Sequence, residues 1–144
     1  MRSGIRASPA FSVIVPTFNR PAALERCLLA LGHQRYSGPF EVIVVNDGGT
    51  LLPEFSPALR ALLNLEVLQQ PNAGPATARN RGARNARGEF LAFTDDDGEP
   101  SDQWLEEMSR TLHTDPAAVV GGHTVNAIPE NLYSGASQLL IDFL

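Results

Sequence analysis

The 144 residues suffice for one domain with a core of its own, and an apolar content of 43% with modest charge excludes a disordered chain. With 11 basic against 16 acidic residues the net charge is −5, which argues against a nucleic-acid groove as the main binding surface. Cys27 is the only cysteine, so an intrachain disulfide and a thiolate metal cluster are both excluded, and there is neither an apolar run of spanning length nor the apolar h-region of a signal peptide.

Along the chain, strand-like runs alternate with helix-like patterns, which predicts an α/β fold with a mostly parallel sheet and crossover helices. Residues 1–10 read as a flexible leader. Phe11 to Val15 reads as a buried first strand closed by Pro16. Pro21 opens a helix whose Leu24, Cys27, Leu28 and Leu31 form one apolar stripe, and Gly32 is its stop. Cys27 is therefore a core position. The β-branched run Val42 to Val45 is the second strand, ended by Asn46, Asp47, Gly48 and Gly49.

A short helix over Pro53 to Leu63 and a third strand over Leu65 to Leu68 follow, then a loop through Gln70, Pro71, Asn72 and Gly74. Pro75 begins a third helix running to about Arg87, with Gly88 as its end, and Glu89 to Thr94 is the fourth strand. Past the acidic run that follows, Ser101 is an N-cap, and Trp104, Leu105, Met108 and Leu112 mark a buried helix side. Ala117 to Val120 reads as a further strand and Tyr133 to Leu144 as an amphipathic segment.

Asp95, Asp96 and Asp97 stand directly after the fourth strand. Like charges this close repel, so the run calls for a cation or a hydrogen-bonded turn. Mg²⁺ or Mn²⁺ takes oxygen ligands, is commonly held by one or two carboxylates, and completes its shell with water and phosphate oxygens. In an open parallel sheet, ligands bind beyond the carboxyl ends of the strands. Thr17, Asn19 and Arg20, then Asn46 and Asp47, then Asn72 and Gly74, then the aspartates all fall there. Asp47 can accept from a base N–H or a ribose hydroxyl, and the helix beginning at Pro75 aims backbone donors at an anion, with Arg79 one turn inside. Singly, each of these signals is weak; an aspartate turn closed by Gly98 would also be stable as a solvated surface feature. A metal-dependent phosphohydrolase uses clustered aspartates too, but sets a nucleophilic Asp after the first strand, where this chain has Pro16 and Thr17. His33, His113 and His123 show no ligand spacing.

Four segments in order, Val13 to Arg20 (VIVPTFNR), Val44 to Gly49 (VVNDGG), Gly74 to Gly82 (GPATARNRG) and Phe93 to Asp97 (FTDDD), resemble the motifs of family 2 glycosyltransferases with the Rossmann-like GT-A fold. The resemblance covers roughly residues 11 to 125. It implies one nucleotide-sugar-binding domain over residues 11–144, truncated toward its C-terminal end, and a nucleotide-diphosphate sugar donor with Mg²⁺ or Mn²⁺. It implies that Pro16, Thr17 and Asn19 line the nucleotide pocket, that Asp47 contacts base or ribose, and that Arg79 steadies the nucleotide. Asp95 would meet the ribose, and Asp95 and Asp97 the metal, with Asp96 the next candidate ligand. Inverting members take the acceptor proton with a later carboxylate; Glu99, Asp102, Glu106, Glu107, Glu130 and Asp142 all lack its context, so the catalytic base is not found in this chain. The expected activity is metal-dependent, inverting transfer of a sugar to the hydroxyl of a saccharide or lipid-linked acceptor. The alternative is a non-catalytic nucleotide-sugar-binding module. The expected location is cytoplasmic, or peripheral at the inner face of the membrane. Apolar Leu139, Leu140, Ile141 and Phe143 favour a homo-oligomer.

Overall fold

In the computed structural model, which describes residues 10–123 and Val125, strands and helices alternate as β1 (Phe11–Thr17), α1 (Pro21–Gly32), β2 (Phe40–Asp47), α2 (Pro57–Leu63), β3 (Leu65–Gln70), α3 (Pro75–Asn85), β4 (Phe90–Phe93) and α4 (Trp104–Thr114). The four strands form one sheet in the order β3-β2-β1-β4, and every pairing is parallel. The expected α/β architecture is therefore present. The described residues fall into two compact units divided between residues 107 and 108.

In the first unit, β1 and β2 are the central strands and are buried along almost their whole length, as a parallel strand covered on both faces must be. Their apolar residues Val13, Ile14, Val15 and Val42 to Val45 are fully buried, together with Leu24, Cys27, Leu28 and Leu31 of α1. Cys27 is thus a core residue, as its helical spacing predicts. On the other side, α3 presents only Ala78 and Gly82. A Cβ at Gly82 would stand 2.6 Å from Ile14 Cγ2, so glycine is what allows this helix to lie so close to β1. Phe11 closes the lower end of the core with Tyr36 edge-on at 5.5 Å and Phe90 at 5.7 Å between ring centroids.

Several boundaries differ from those predicted. β1 continues through Pro16 to Thr17. Ile14 gives its carbonyl to Thr94 N on the β4 side, so Pro16, two residues on, directs its missing N–H toward the same side, past the end of β4, where no strand needs a donor. α2 begins at Pro57 because Ser56 caps it, its hydroxyl accepting from Leu59 N at 3.1 Å, with proline at the first helical position. α3 stops at Asn85, with extended Ala86 after it. Gly88 serves a close approach to β1 and not a helix stop, since a Cβ there would lie 2.5 Å from Ser12 N. Just ahead of β1, Ala10 donates to the Pro39 carbonyl and accepts from Phe90 N.

In the second unit, the described residues are the remainder of α4 and the segment after it. The strand predicted over Ala117 to Val120 is absent: Asp115 and Pro116 start a turn there, with the Asp115 carboxylate accepting from Ala117 N at 3.1 Å and its carbonyl from Ala118 N at 3.0 Å. The segment Tyr133 to Leu144 lies outside the described residues. Among those described, no helix is long and apolar enough to cross a membrane.

Candidate functional site

The chain runs from β1 outward through β2 to β3, then crosses back to place β4 on the other side of β1. Loops leaving β1 and β4 therefore diverge at their carboxyl ends, which is the switch point where open α/β sheets receive ligands. β4 ends at Phe93, opposite Ile14, while β1 runs three residues further. The acidic run thus lies alongside the last turn of β1 and not beyond it. Thr94 N donates to the Ile14 carbonyl at 3.3 Å, and Gly98 N closes the turn onto the Asp95 carbonyl at 3.0 Å.

Within that turn the three carboxylates are not equivalent. Asp96 is turned inward and buried: its Oδ2 accepts from Thr17 Oγ1 at 2.8 Å and its Oδ1 from Arg20 Nη1 at 3.3 Å. Asp95 and Asp97 keep side-chain exposures of 60% and 59%, leaving them open to a ligand. Each meets an arginine, Asp95 with Arg79 Nη2 at 2.5 Å and Asp97 with Arg20 Nη1 at 3.0 Å. Beneath them the Cys27 thiol donates to the Asp95 carbonyl at 3.6 Å. Burial, followed by the negative charges of Asp96, Asp97, Glu99 and Asp95, pushes that thiol up to about 12, so it stays protonated and acts as a donor, not a nucleophile.

Asp47 closes β2 and is buried. Its carboxylate accepts from Gln70 Nε2 at 2.7 Å, Ala73 N at 2.8 Å, Gly74 N at 2.9 Å and Asn72 Nδ2 at 3.3 Å. Burial pushes this carboxyl up, but the bonds from Gln70 and from the Ala73 and Gly74 amides outweigh it and hold the group below its ordinary value. Asp47 thereby fixes the loop that delivers the N-terminus of α3, with Gly74 at φ 91° as the N-cap residue. Arg79 follows on α3, and its guanidinium returns to Asp95. Asn46 holds the neighbouring loop, donating to the Gly49 carbonyl and to Gln69 Oε1, both at 2.7 Å. Asn19, in the left-handed region at φ 52°, accepts from Thr50 N and Leu51 N through Oδ1.

The predicted residues Thr17, Asn19, Asp47, Arg79, Asp95, Asp96 and Asp97 thus all fall at the carboxyl end of the sheet or on the loops and helix that leave it; Thr17 meets Asp96 and Arg79 meets Asp95 directly, while Asn19 and Asp47 bind the neighbouring loops. Pro16 is buried inside β1, with Thr17 between it and the loop. Asp96, considered as a third ligand, has both oxygens engaged from the protein, and among the described residues no group of three or more His, Cys, Asp or Glu stands ready to enclose a metal ion. The sequence reading missed the part played by Gln70. It ends β3, which the apolar run suggested would stop at Leu68, and period-two extension of that strand was the available signal.

The sequence profile of glycosyl transferase family 2 matches residues 12–141. The chain is 36% identical over 128 residues to "Glycosyltransferase AglE" of Haloferax volcanii, an alignment covering 84% of this chain and 41% of that protein. It is 33% identical over 138 residues to "Hyaluronan synthase" of Pasteurella multocida, covering 89% of this chain and 14% of that one. Among solved structures, S. aureus TarS 1-349 in complex with UDP-GlcNAc superposes with a TM-score of 0.63 at 29% identity, covering 78% of this chain and 37% of that one. The mannosyltransferase PcManGT of Pyrobaculum calidifontis, in complex with GDP-Man and Mn²⁺, gives 0.62 at 27%, covering 89% and 38%. The α/β fold of the GT-A type is what the two solved structures share with this chain. This chain belongs to glycosyl transferase family 2. It spans about two fifths or less of the length of the relatives it matches here.

Proposed function

We propose that this chain is the donor-binding part of a metal-dependent, inverting glycosyltransferase, holding a nucleotide-diphosphate sugar at the carboxyl ends of β1, β2 and β4. The observation that carries the reading is the split of the acidic turn into one buried carboxylate and two exposed ones. A divalent ion needs only one or two protein carboxylates when a diphosphate supplies further oxygens, and the hard oxygen donors of Asp95 and Asp97 fit that mode. Neighbours that carry UDP-GlcNAc, or GDP-Man with Mn²⁺, support the ligand class.

In this reading Asp97 and Asp95 hold Mg²⁺ or Mn²⁺, which supplies Lewis-acid stabilisation of the departing diphosphate. Asp47 keeps the α3 N-terminus and the loop before it rigid beside the base and ribose, and Thr17 with Asp96 locks β4 to β1 so that the exposed carboxylates keep their spacing. Arg79 sits where it can exchange Asp95 for a nucleotide oxygen. The acceptor's proton is taken by a carboxylate outside this cluster. Glu99 and Asp102 are engaged with Arg26 and Arg35, at 3.3 and 2.6 Å, and serve to fasten the segment after the acidic turn. A saccharide or lipid-linked acceptor and a location in the cytoplasm or at the inner membrane face go with this proposal. So does self-association, supported by Leu91 and Phe93, each 46% exposed on β4; a clean monomer in light scattering at rising concentration would count against it.

Calorimetric titration of UDP-, GDP- and dTDP-linked sugars, with and without Mn²⁺, tests the core of the reading. One nucleotide class should bind, and only with the metal. If none binds at saturating Mn²⁺, the proposal falls. Binding with no release of nucleoside diphosphate to any acceptor leaves the chain a binding module.

A further inference from the structure

Arg20 is poorly suited to the place it occupies. It is the N-cap of α1, with backbone at φ −125° and ψ 58°, and its side chain makes no capping bond. Serine, threonine, asparagine and aspartate are the residues that stabilise this position, and a cation there opposes the helix dipole. No acidic residue in the first turn of α1 offsets that charge. What holds the guanidinium is the acidic turn: one nitrogen, Nη1, reaches Asp96 Oδ1 at 3.3 Å and Asp97 Oδ2 at 3.0 Å.

The two partners differ in what they can give up. The Asp96 side chain is 8% exposed and is also held by Thr17, whereas Asp97 is 59% exposed and bonded to no other protein donor in the turn. Releasing Asp96 would leave a buried carboxylate short of a partner, while releasing Asp97 returns it to solvent at little cost. We infer that Arg20 is a resident cation of the donor site, tethered by Asp96 and competing with the divalent ion for Asp97. This rests on the reading of Asp97 as a metal ligand. When the ion takes Asp97, Arg20 stays fixed at Asp96 with a free donor fork beside the site, available to a diphosphate oxygen.

Two consequences follow from that geometry. Ion binding alone is opposed by the guanidinium, and ion binding with a nucleoside diphosphate is helped by it, so Arg20 adds coupling between the two ligands. By linkage the coupling is reciprocal.

The test is Mn²⁺ binding followed by the electron-paramagnetic-resonance signal of the free ion, on wild type, Arg20→Gln and Arg20→Lys, first with Mn²⁺ alone and then with UDP or GDP added. Arg20 is exposed, so both variants should fold, which circular dichroism verifies. Arg20→Gln should bind Mn²⁺ alone about three- to fivefold more tightly, the scale of an exposed ion pair, and the gain in Mn²⁺ affinity on adding nucleotide should shrink. Arg20→Lys, which keeps the charge, should restore weak binding of Mn²⁺ alone. Equal or weaker Mn²⁺ binding in Arg20→Gln, with nucleotide binding still requiring the metal, overturns the role of Arg20 and leaves the proposed function standing. Uptake of neither ligand by any of the three proteins overturns both.

Discussion

Each end of the parallel sheet carries carboxylates paired with arginines, and the two ends use the same chemistry for opposite purposes. At the amino end, Glu41 is fully buried. Its Oε1 accepts from Ser12 Oγ at 2.6 Å and Arg87 N at 2.8 Å, and its Oε2 accepts from the Arg87 guanidinium, Nε at 2.8 Å. Ser12 Oγ in turn accepts from Gly88 N. At the carboxyl end, Asp95 and Asp97 are largely exposed and each has one arginine. A carboxylate whose lone pairs are all engaged from within stabilises the fold and is closed to ligands. One held by a single exposed cation contributes little to stability and is free to change partner. Burial, not residue type, separates the structural carboxylates from those open to a ligand.

The largest effect that would test this contrast is at the amino end. Arg87→Ala removes the guanidinium from Glu41 and leaves a buried carboxylate held by Ser12 and one amide; urea denaturation should show a loss of about 3 kcal/mol. Nucleotide binding by the folded fraction should not change, since Arg87 lies at the opposite pole. A loss below the measurement error would show that the pair does not hold this end. Next in size is Asp47→Ala. It strands Gln70 and two backbone amides, while Asn72 keeps its bond to the residue-47 carbonyl, so a loss of about 2 kcal/mol is expected. Unlike Arg87→Ala it should also weaken nucleotide binding, because the loop ahead of α3 loses its anchor. Stability falling with binding intact would remove Asp47 from the site and leave it a purely structural residue.

Acid sharpens the same comparison. Burial pushes the Glu41 carboxyl up, but the bonds from Ser12 and Arg87 and the charge of Arg87 prevail and hold it below its ordinary 4.5. A folded-state value below the unfolded one means that the group contributes stability above the unfolded value and loses it as pH falls through the folded one. Stability measured by urea should therefore decline below about pH 4.5, and Glu41→Gln should flatten that decline. An identical slope in the variant would place the acid sensitivity elsewhere, with Asp47 the next group to test because it shifts in the same direction.

The alternation of strands and helices along the chain, the proline starts of α1 and α3 and the residues at the carboxyl ends are legible in the sequence because each is written locally: a β-branched run, a proline at the first helical position, an Asn-Asp-Gly-Gly turn. Glu41 is not. It sits second in an apolar run, where a single charge reads as a solvated interruption, and its partner Arg87 is 46 residues away on a different connection. The same limit hid the inequality of the three aspartates, since what sorts them is Thr17, 79 residues from Asp96, and the offset between the ends of β1 and β4. Ala117 to Val120 is not a strand for a local reason: only its two valines favour one, while the Asp115-Pro116 turn before them decides the backbone.

The smallest expected effect on stability is the most discriminating for function. Asp97→Ala removes a carboxylate that is 59% exposed and whose one protein partner, Arg20, is 57% exposed and retains Asp96. The change in unfolding free energy should lie within about 0.5 kcal/mol, as for surface positions away from a packed or buried polar group. It should even be slightly favourable, because one of three neighbouring like charges is gone. Metal-dependent nucleotide binding should nevertheless disappear in the same titration that defines the donor. Asp96→Ala, at the preceding residue of the same turn, should show the reverse balance: a buried acceptor is lost, the buried Thr17 hydroxyl is stranded while exposed Arg20 keeps Asp97, and stability falls before binding is considered. If the two substitutions behaved alike, the acidic turn would be acting as one diffuse patch of charge, and the division of labour that burial imposes on it would be wrong.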